Sequence, residues 1–410
     1  MKKQPFIPLL LGGDINVYSM ARAFHEAYGI RSVVFGKYPT GPCCNSKIIE
    51  LHTFGEENDQ PEALLQNVSR FAADHPEETI LLIGCGDSYV QRIGETKERY
   101  PDNVIAPYID ADLMNTLIHK ERFYALCEEH GIDYPDTFIH RREMGHDFSL
   151  PFDPPFIIKP ANGVAYWEHP FPVQNKVYKA RDRAQLNEIL DEIYGSGYPD
   201  TVVIQDFIPG DDTFMRVLTN YSDRTGTVRF MCLGHVLLEE HSPHGIGNHA
   251  VIVNEVNEPL SQKLRAFLDA VGFVGFSNFD IKYDQRDGKF KVFEINVRQG
   301  RSNFYVTGAG YNLARMAVED WIEHREAEFT LADKPLLWRV VPQKVADRYI
   351  TPPEYRAQMK ALMGEGRAVN PLFYAPDRGL LRRLRLFKNQ REYFKKYKKY
   401  MGRPSAGGAR

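Results

Sequence analysis

The segment from 276 to 303 constrains this 410-residue chain more than any other, because polar and apolar residues alternate on both sides of an Asp-Gly turn. In a β-strand, side chains two positions apart share a face. The alternation predicts a hairpin with an apolar back, on which we expect Phe293, and a polar working face. Five side chains are expected on the polar face: Asp280, Lys282, Glu294, Asn296 and Arg298.

This polar face has the composition of a metal and phosphate site. Two carboxylates and an amide oxygen are hard ligands that suit Mg²⁺. The neighbouring cations, Lys282 and Arg298, suit the phosphates that usually accompany this metal. An isolated hairpin with the same residues would more simply present a solvated charged face, so the remainder of the chain must decide between the two interpretations.

The metal prediction makes a demand on the register of the hairpin. A two-residue turn at Asp287-Gly288 would send Asp280 and Glu294 to opposite faces of the sheet. A three-residue loop, 286–288, with Gly288 in the left-handed region, would pair the two carboxylates on one face. We therefore expect the second register.

Composition indicates an ordinary globular protein in a reducing compartment. Hydrophobic residues make up 43% and charged residues 26% of the chain, and no apolar run is long enough for a membrane span. The five cysteines show neither a disulfide framework nor a zinc spacing. We expect a cytoplasmic protein with a net charge of −3 and no nucleic-acid partner. The sequence does not predict the oligomeric state.

The last 34 residues differ in charge from the rest. Residues 377–410 hold 12 Lys and Arg against 2 Asp and Glu, which leaves a balance of −13 for residues 1–376. Near-helical spacing of apolar residues predicts a basic amphipathic helix. Such a helix would contact anionic lipid, a phosphorylated substrate or the acidic body of the protein. Its predicted apolar face comprises Leu380, Leu384, Phe387, Phe394 and Tyr397.

Before the hairpin, short apolar runs alternate with helical patterns, which predicts a parallel α/β layer at the N-terminus. Gly12-Gly13-Asp14, between the first strand and helix, offers backbone amides to a ligand. It does not form a GxGxxG motif, so a structural turn is favoured over a dinucleotide site. A single helix is predicted over 112–130, ending at Gly131.

A lysine at the end of a buried strand predicts an anion site. Lys159 follows an apolar run, so its ammonium needs an anion to remain charged unless it simply extends to solvent. The residues from Ala161 to Gly163 would form a mobile loop that covers phosphates.

A second strand, from 202, ends in a segment suited to adenine. The backbone of Gln205-Asp206-Phe207-Ile208 offers a carbonyl and an amide side by side. Asp212, just beyond the following turn, would accept both ribose hydroxyls.

Together these motifs resemble the ATP-grasp superfamily over about residues 1–325. The resemblance implies an α/β fold with a Rossmann-like N-terminal domain (1–112), a small subdomain (113–200), a large subdomain with the Mg²⁺ site (201–330) and a C-terminal extension (331–410). It implies ATP and Mg²⁺ as cofactors. Lys120, Lys159 and Gly163 resemble nucleotide-contacting positions, 205–208 the adenine hinge and Asp212 the ribose ligand. The implied metal ligands are Asp280, Glu294 and Asn296.

Within the superfamily, 293–312 and the N-terminal GGDINVYSMARAFHEAYGI look like the D-aspartate ligase group. This implies joining of an amino-acid carboxylate to an amine through an acyl phosphate, with a nucleotide-linked peptidoglycan precursor as one acceptor. Arg298, Arg301 and Lys282 are the cations expected near the reacting groups. The alternatives are a kinase-like or dipeptide-forming enzyme of the same fold and a scaffold that binds nucleotide without turnover, whereas the lack of a segment like a biotin carrier argues against a carboxylase.

The loop from His241 to His249 contains three histidines that would also suit zinc. Metal triads usually lie on rigid elements with supporting carboxylates. We therefore favour a loop that faces substrate or acts as a lid.

Overall fold

The computed structural model describes residues 5–242 and 245–402. None of the helices in these ranges is long and apolar enough to cross a membrane. The N-terminal part, in chain order, consists of β1 (Phe6–Leu11), α1 (Ile15–Tyr28), β2 (Ser32–Gly36), β3 (Ile49–Thr53), α2 (Pro61–Ala73), β4 (Thr79–Gly84), α3 (Asp87–Thr96), β5 (Val104–Ile105) and α4 (Ala111–Ile118).

These strands form a parallel sheet in the order β3-β2-β1-β4-β5, called the N-terminal sheet, as the alternating pattern predicts. The apolar run that ends β1 is fully buried, which is typical of a strand covered by helices on both faces. Helix α1 begins after Asp14, whose carboxylate accepts hydrogen bonds from the Asn16 and Val17 amides. Gly29 ends it in the left-handed region.

A small antiparallel sheet follows, in the order β6-β9-β7-β8. The last strand completes it, although the predicted division at 200/201 assigns that strand to the next segment. The domain boundaries stay a prediction. The elements of this part are α5 (Lys120–Glu129), β6 (Thr137–His140), β7 (Phe156–Pro160), α6 (Gly163–Trp167), β8 (Tyr178–Ala180), α7 (Arg183–Gly195) and β9 (Val202–Asp206).

The prediction of one helix over 112–130 is wrong. His119 is extended, with φ −82° and ψ 111°, and separates α4 from α5. The Lys120 amide, freed from intrahelical bonding at the start of α5, donates to the Ala161 carbonyl at 3.0 Å. The break fixes Lys120 against the end of β7, which the periodicity of the sequence does not reveal.

The large sheet occupies the rest of the chain, in the order β14-β13-β10-β11-β12-β16-β17, with β15 beside β11. Its elements are β10 (Met215–Ser222), β11 (Val228–Glu239), β12 (His249–Glu255), α8 (Glu258–Ala270), β13 (Gly275–Asp284), β14 (Lys289–Asn296), α9 (Phe304–Gly308), α10 (Leu313–Trp321), β15 (Thr330–Leu331), β16 (Leu337–Arg339), α11 (Gln343–Tyr349), α12 (Pro353–Gly364), β17 (Ala368–Val369) and α13 (Leu380–Tyr400).

The hairpin of β13 and β14 pairs Asp280 directly with Glu294, as the metal prediction requires. The predicted three-residue loop is wrong, because four residues, 285–288, connect the strands. Gly288 is left-handed, with φ +72°. A β-bulge at Phe293 supplies the extra residue that restores the register. The two carboxylates therefore share a face because of the bulge, and not because of a three-residue loop.

Helix α13 packs on the body of the protein through a different face from the predicted one. Arg382 is 2% exposed, and its Nε lies 3.0 Å from Oδ2 of the fully buried Asp377. Leu386 and Tyr397 are also buried. Of the five residues of the predicted apolar face, the structure buries Tyr397 and exposes the other four: Leu380, Leu384, Phe387 and Phe394.

Candidate functional site

A cavity of about 210 Å³ lies between the small sheet and the large sheet, and we call it the strand cavity. Residues from segments far apart in the sequence line it, which is the arrangement expected of a binding site. The sequence-predicted residues on its wall are Lys120, Lys159, Gln205, Asp206, Phe207, Ile208, Asp280, Lys282 and Glu294.

Buried lysines on one wall of the strand cavity face a carboxylate. Lys159 is the next-to-last residue of β7 and is 8% exposed; burial lowers its pKa to about 8, while Glu294 opposes that shift. Burial likewise lowers the pKa of Lys120, whose Nζ lies 3.8 Å from a Glu294 oxygen. Within the strand cavity one carboxylate thus faces several cations, and additional anions would stabilise the charged lysines.

Lys176 is a further cation of the strand cavity that the sequence motifs do not predict. It lies between α6 and β8, and its Nζ donates to Oε1 of Glu294 at 3.1 Å. Glu294 raises the pKa of Lys176, and Lys176 in turn is the main cause that holds the pKa of Glu294 below its usual range. Lys176 lies in the connection between α6 and β8, where no strand or helix pattern marks it as a site residue.

The paired carboxylates fit a divalent cation. Burial raises the pKa of Asp280, and the adjacent charge of Glu294 raises it further. The Asn296 amide nitrogen donates to Asp280 at 3.2 Å, so the third predicted ligand lies on the same face. A cation between the two carboxylates would offset their repulsion. Among the described residues, no group of three or more His, Cys, Asp or Glu could hold a metal, so this site rests on two carboxylates and an amide.

The predicted hinge is fixed from two sides. The Asp206 amide donates to the Asp136 carbonyl at 2.9 Å, which continues the pairing of β6 with β9. The ammonium of Lys282 donates to the carbonyls of Ile208 and Gly210 at 2.9 and 3.0 Å. Lys282 therefore holds the hinge backbone, whereas the family resemblance implies a position near the reacting groups.

Aromatic rings add an apolar surface to the strand cavity. The bulge turns Phe293 into the cavity, with the Lys159 ammonium 4.6 Å from its ring centroid, so the prediction that Phe293 lies on the buried apolar face is wrong. Phe207 contributes a second ring, over which the Lys179 ammonium lies at 3.6 Å. Flat apolar surfaces beside a backbone edge suit a heteroaromatic base.

Other predicted residues lie outside the strand cavity. Gly163 begins α6, a short helix in which the Val164 and Ala165 amides donate to Asn162, so the loop predicted over 161–163 is wrong at Gly163. Asp212 accepts hydrogen bonds from the Glu239 amide and the His241 ring, and lines a neighbouring cavity that also contacts Lys282.

Arg298 reaches the N-terminal part of the chain. Its Nη2 donates to Asp87 at 2.9 Å and to the Asn296 amide oxygen at 3.2 Å, and its Nε forms an ion pair with Asp87 at 2.7 Å. The metal face is thus connected to the N-terminal end of α3 by one side chain.

A second cavity, of about 650 Å³, lies beneath α13, and we call it the helix cavity. The turn after β1 contributes Gly13 and Asp14, so this turn does face a cavity. Burial raises the pKa of Asp14. The cations on the wall of the helix cavity are Lys37, Arg301 and Lys396.

Two histidines of the segment 241–249 contact carboxylates, one in the turn before β10 and one at the end of β11. His241 lies 2.9 Å from Asp212, and His249 lies 3.6 Å from Glu239. Glu239 also lines the strand cavity, and burial raises its pKa. No sequence motif predicts this third carboxylate, because an acidic residue at the end of a long buried strand carries no local signal. His244 lies outside the described residues.

Comparison with known proteins shows one relative along nearly the whole chain. The chain is 40% identical over 412 residues to the D-aspartate ligase of Enterococcus faecium (strain Aus0004), with 98% of each chain covered. This chain belongs to the D-aspartate ligase family. No family model matches it. The membership confirms the predicted class, an ATP-dependent carboxylate–amine ligase.

Solved structures of similar fold have low sequence identity. The L-amino acid ligase from Bacillus licheniformis matches with a TM-score of 0.56 and 16% identity, over 79% of this chain and 75% of that one. N5-carboxyaminoimidazole synthetase from Staphylococcus aureus, complexed with ADP, matches with a TM-score of 0.58 and 14% identity, over 82% and 83%. These similarities confirm the ATP-grasp fold with a Rossmann-like N-terminal sheet.

Proposed function

We propose that this D-aspartate ligase family member is an ADP-forming enzyme that phosphorylates a carboxylate of D-aspartate with ATP and transfers the acyl group to an amine. The observation that carries the proposal is the convergence of the hinge, the buried lysines and the Asp280–Glu294 pair on one cavity. The named substrate of the relative from Enterococcus faecium supports D-aspartate as the amino acid.

In this proposal the hinge and the aromatic rings bind adenine, and the lysines bind phosphates. The backbone at 206–208 offers polar atoms to the base edge, and Phe293 packs against its face. Lys120 and Lys159 contact phosphate oxygens, which supply the anions that their buried ammonium groups need. Asp212, just beyond the hinge, would accept the ribose hydroxyls. The His241 ring, which donates to Asp212, would first have to release it.

Asp280, Glu294 and Asn296 would hold Mg²⁺. When bound, the ion would neutralise the β- and γ-phosphates toward an incoming carboxylate. Glu294 also keeps Lys120 and Lys176 charged, since it is the anion nearest to both. Arg298, fixed by Asp87 beside this face, is placed to stabilise negative charge on the reacting carbonyl oxygen.

The helix cavity is the proposed site of the amine acceptor. Its volume of about 650 Å³ exceeds what a free amino acid needs, and two of its three cations, Arg301 and Lys396, share the single Glu240 carboxylate at 3.5 and 3.7 Å, so carboxylates or phosphates of an acceptor would supply further anionic charge. A nucleotide-linked peptidoglycan precursor has this chemistry, and we propose such an acceptor and a cytoplasmic location for the reaction.

The test is ADP formation from ATP and Mg²⁺ with single amino acids, each with and without an amine. We expect ADP only when D-aspartate is present, and a hydroxamate when hydroxylamine replaces the natural amine, because hydroxylamine traps acyl phosphates. L-Aspartate and D-alanine serve as matched controls. Formation of AMP, or ADP formation that does not depend on any amino acid, would contradict the proposal.

A further inference from the structure

The outward side of α13 exposes large apolar side chains in its first two turns. Leu380 is 73% exposed, Leu384 60% and Phe387 63%, and Leu381 beside them is 65% exposed. These side chains lie on the side of the helix opposite to the buried Arg382 and Leu386. A surface helix normally places its apolar residues against the body of the protein, so this second apolar surface needs a partner.

The following turns of the same side are basic. Lys388, Arg391, Lys395 and Lys398 are exposed, and Phe394 among them is 43% exposed. Three other cations of the helix already contact the rest of the protein. Arg382 pairs with Asp377, Arg385 donates to the carbonyls of 41 and 44, and Lys396 pairs with Glu240. The outward cations are therefore available to an anionic partner, apart from Lys395, which pairs with Glu392 on the same helix.

The helix is held in place before any partner arrives. The ion pair of Arg382 with Asp377 anchors its first turn, and the Tyr397 hydroxyl donates to the Glu239 carbonyl at 2.8 Å near its end. No ordering of the helix backbone is then required on binding, which favours association.

From this arrangement we propose that the outward side of α13 binds the surface of an anionic lipid bilayer. The leucines and Phe387 enter the boundary between headgroups and acyl chains, and the basic turns contact acidic headgroups. Charge complementarity selects this partner over a second copy of the chain, because two copies facing each other here would oppose like charges.

The test uses the full-length protein and sedimentation with vesicles of phosphatidylcholine alone or mixed with phosphatidylglycerol. We expect binding to the mixed vesicles, weakening as salt is raised. Leu384→Glu with Phe387→Glu should lower binding at least about tenfold. Lys388→Gln with Arg391→Gln should lower it about thirtyfold, from about 1 kcal/mol per cation near the surface.

Val256→Glu is the matched control, because Val256 is an exposed apolar residue (52%) between β12 and α8. We expect this variant to bind like the parent protein, and all variants to keep their thermal unfolding midpoint and ADP formation in solution. Absence of binding to the anionic vesicles, or equal binding by the Leu384/Phe387 variant, would overturn the proposal. So would loss of a dimer in that variant, which would assign the surface to a second copy.

Discussion

At the scale of single residues, the charge of Glu294 organises the strand cavity. Its oxygens face Lys120 and Lys176, while Asp280 lies directly across the hairpin. The same carboxylate stabilises the charged form of Lys159 and destabilises the charged form of Asp280. A residue with this position should be far more important for turnover than for folding.

Replacing Glu294 with Gln should lower kcat about a hundredfold or more, because the change removes an anionic metal ligand and keeps the shape of the side chain. Steady-state ADP formation at a series of Mg²⁺ concentrations measures the effect. Glu188→Gln, at an exposed position on α7, is the matched control and should behave like the parent. Near-normal turnover in the Glu294 variant would reject the metal assignment.

Phe293 and Ile295, two residues apart on β14, should respond to truncation in opposite ways. Phe293 lines the strand cavity, so Phe293→Ala should raise the KM for ATP several-fold with a modest loss of stability. Ile295 is 4% exposed in the core, so Ile295→Ala should lower the free energy of unfolding by about 2–5 kcal/mol. Denaturant unfolding and ATP kinetics together distinguish the two variants. A large loss of stability with an unchanged KM for ATP in Phe293→Ala would show that Phe293 is a core residue and not part of the nucleotide site.

At the scale of elements, the local sequence patterns predicted the strands and helices whose formation depends on the spacing of nearby apolar residues. The strands of the hairpin, the lysine strand β7 and the order of the N-terminal α/β elements follow from apolar spacing. The bulge at Phe293 and the break at His119 do not, because tertiary contacts select them over the regular alternatives. Lys176 joins the site across 118 residues of sequence, and no local pattern reports such a contact.

The same limit applies to α13, whose helical nature is predictable and whose buried face is not. The body selects a face centred on Arg382 because Asp377 is fixed there by hydrogen bonds from the Tyr18 and Ser46 hydroxyls, both at 2.8 Å. A buried ion pair of this kind outweighs the preference for the more apolar side of the helix, since an unpaired buried carboxylate is costly.

Arg382→Ala should therefore lower the free energy of unfolding by about 3–5 kcal/mol, because it leaves Asp377 buried without its cation. Arg383→Ala, at the next and exposed position, should change it by less than about 0.5 kcal/mol. Urea unfolding of both variants gives the comparison. Equal effects would mean that α13 is not anchored through this pair.

Lys396 and Lys398 offer a matched test of the helix cavity. Lys396 lines the cavity, whereas Lys398 is exposed on the outward side of α13. Lys396→Gln should raise the KM for the amine acceptor about threefold or more, without changing the KM for ATP. Lys398→Gln should change neither constant. An increase in the KM for ATP alone would place the acceptor elsewhere.

At the scale of the whole molecule, the strand cavity joins parts of the chain that share few backbone pairs. Lys159 and the hinge belong to the small sheet, whereas Asp280 and Glu294 belong to the large sheet. The direct ties between them are single side chains, such as Lys282 to the Ile208 carbonyl and Arg286 to Asp206 at 2.6 Å. A ligand in the cavity would add contacts to both sheets at once.

ADP with Mg²⁺ should consequently raise the thermal unfolding midpoint of the whole chain in a single transition. At a free ligand concentration of about 100 Kd the expected gain is about 2.7 kcal/mol. Removing the metal with EDTA should abolish most of this gain, because the phosphates would then face Asp280 and Glu294 without a cation between them. Scanning calorimetry with ADP, with and without EDTA, measures the effect, and the Glu294→Gln variant should show a smaller dependence on Mg²⁺. A gain that is unaffected by EDTA would show that the carboxylate pair does not hold a metal in the nucleotide complex, and would assign the binding energy to the hinge and the lysines alone.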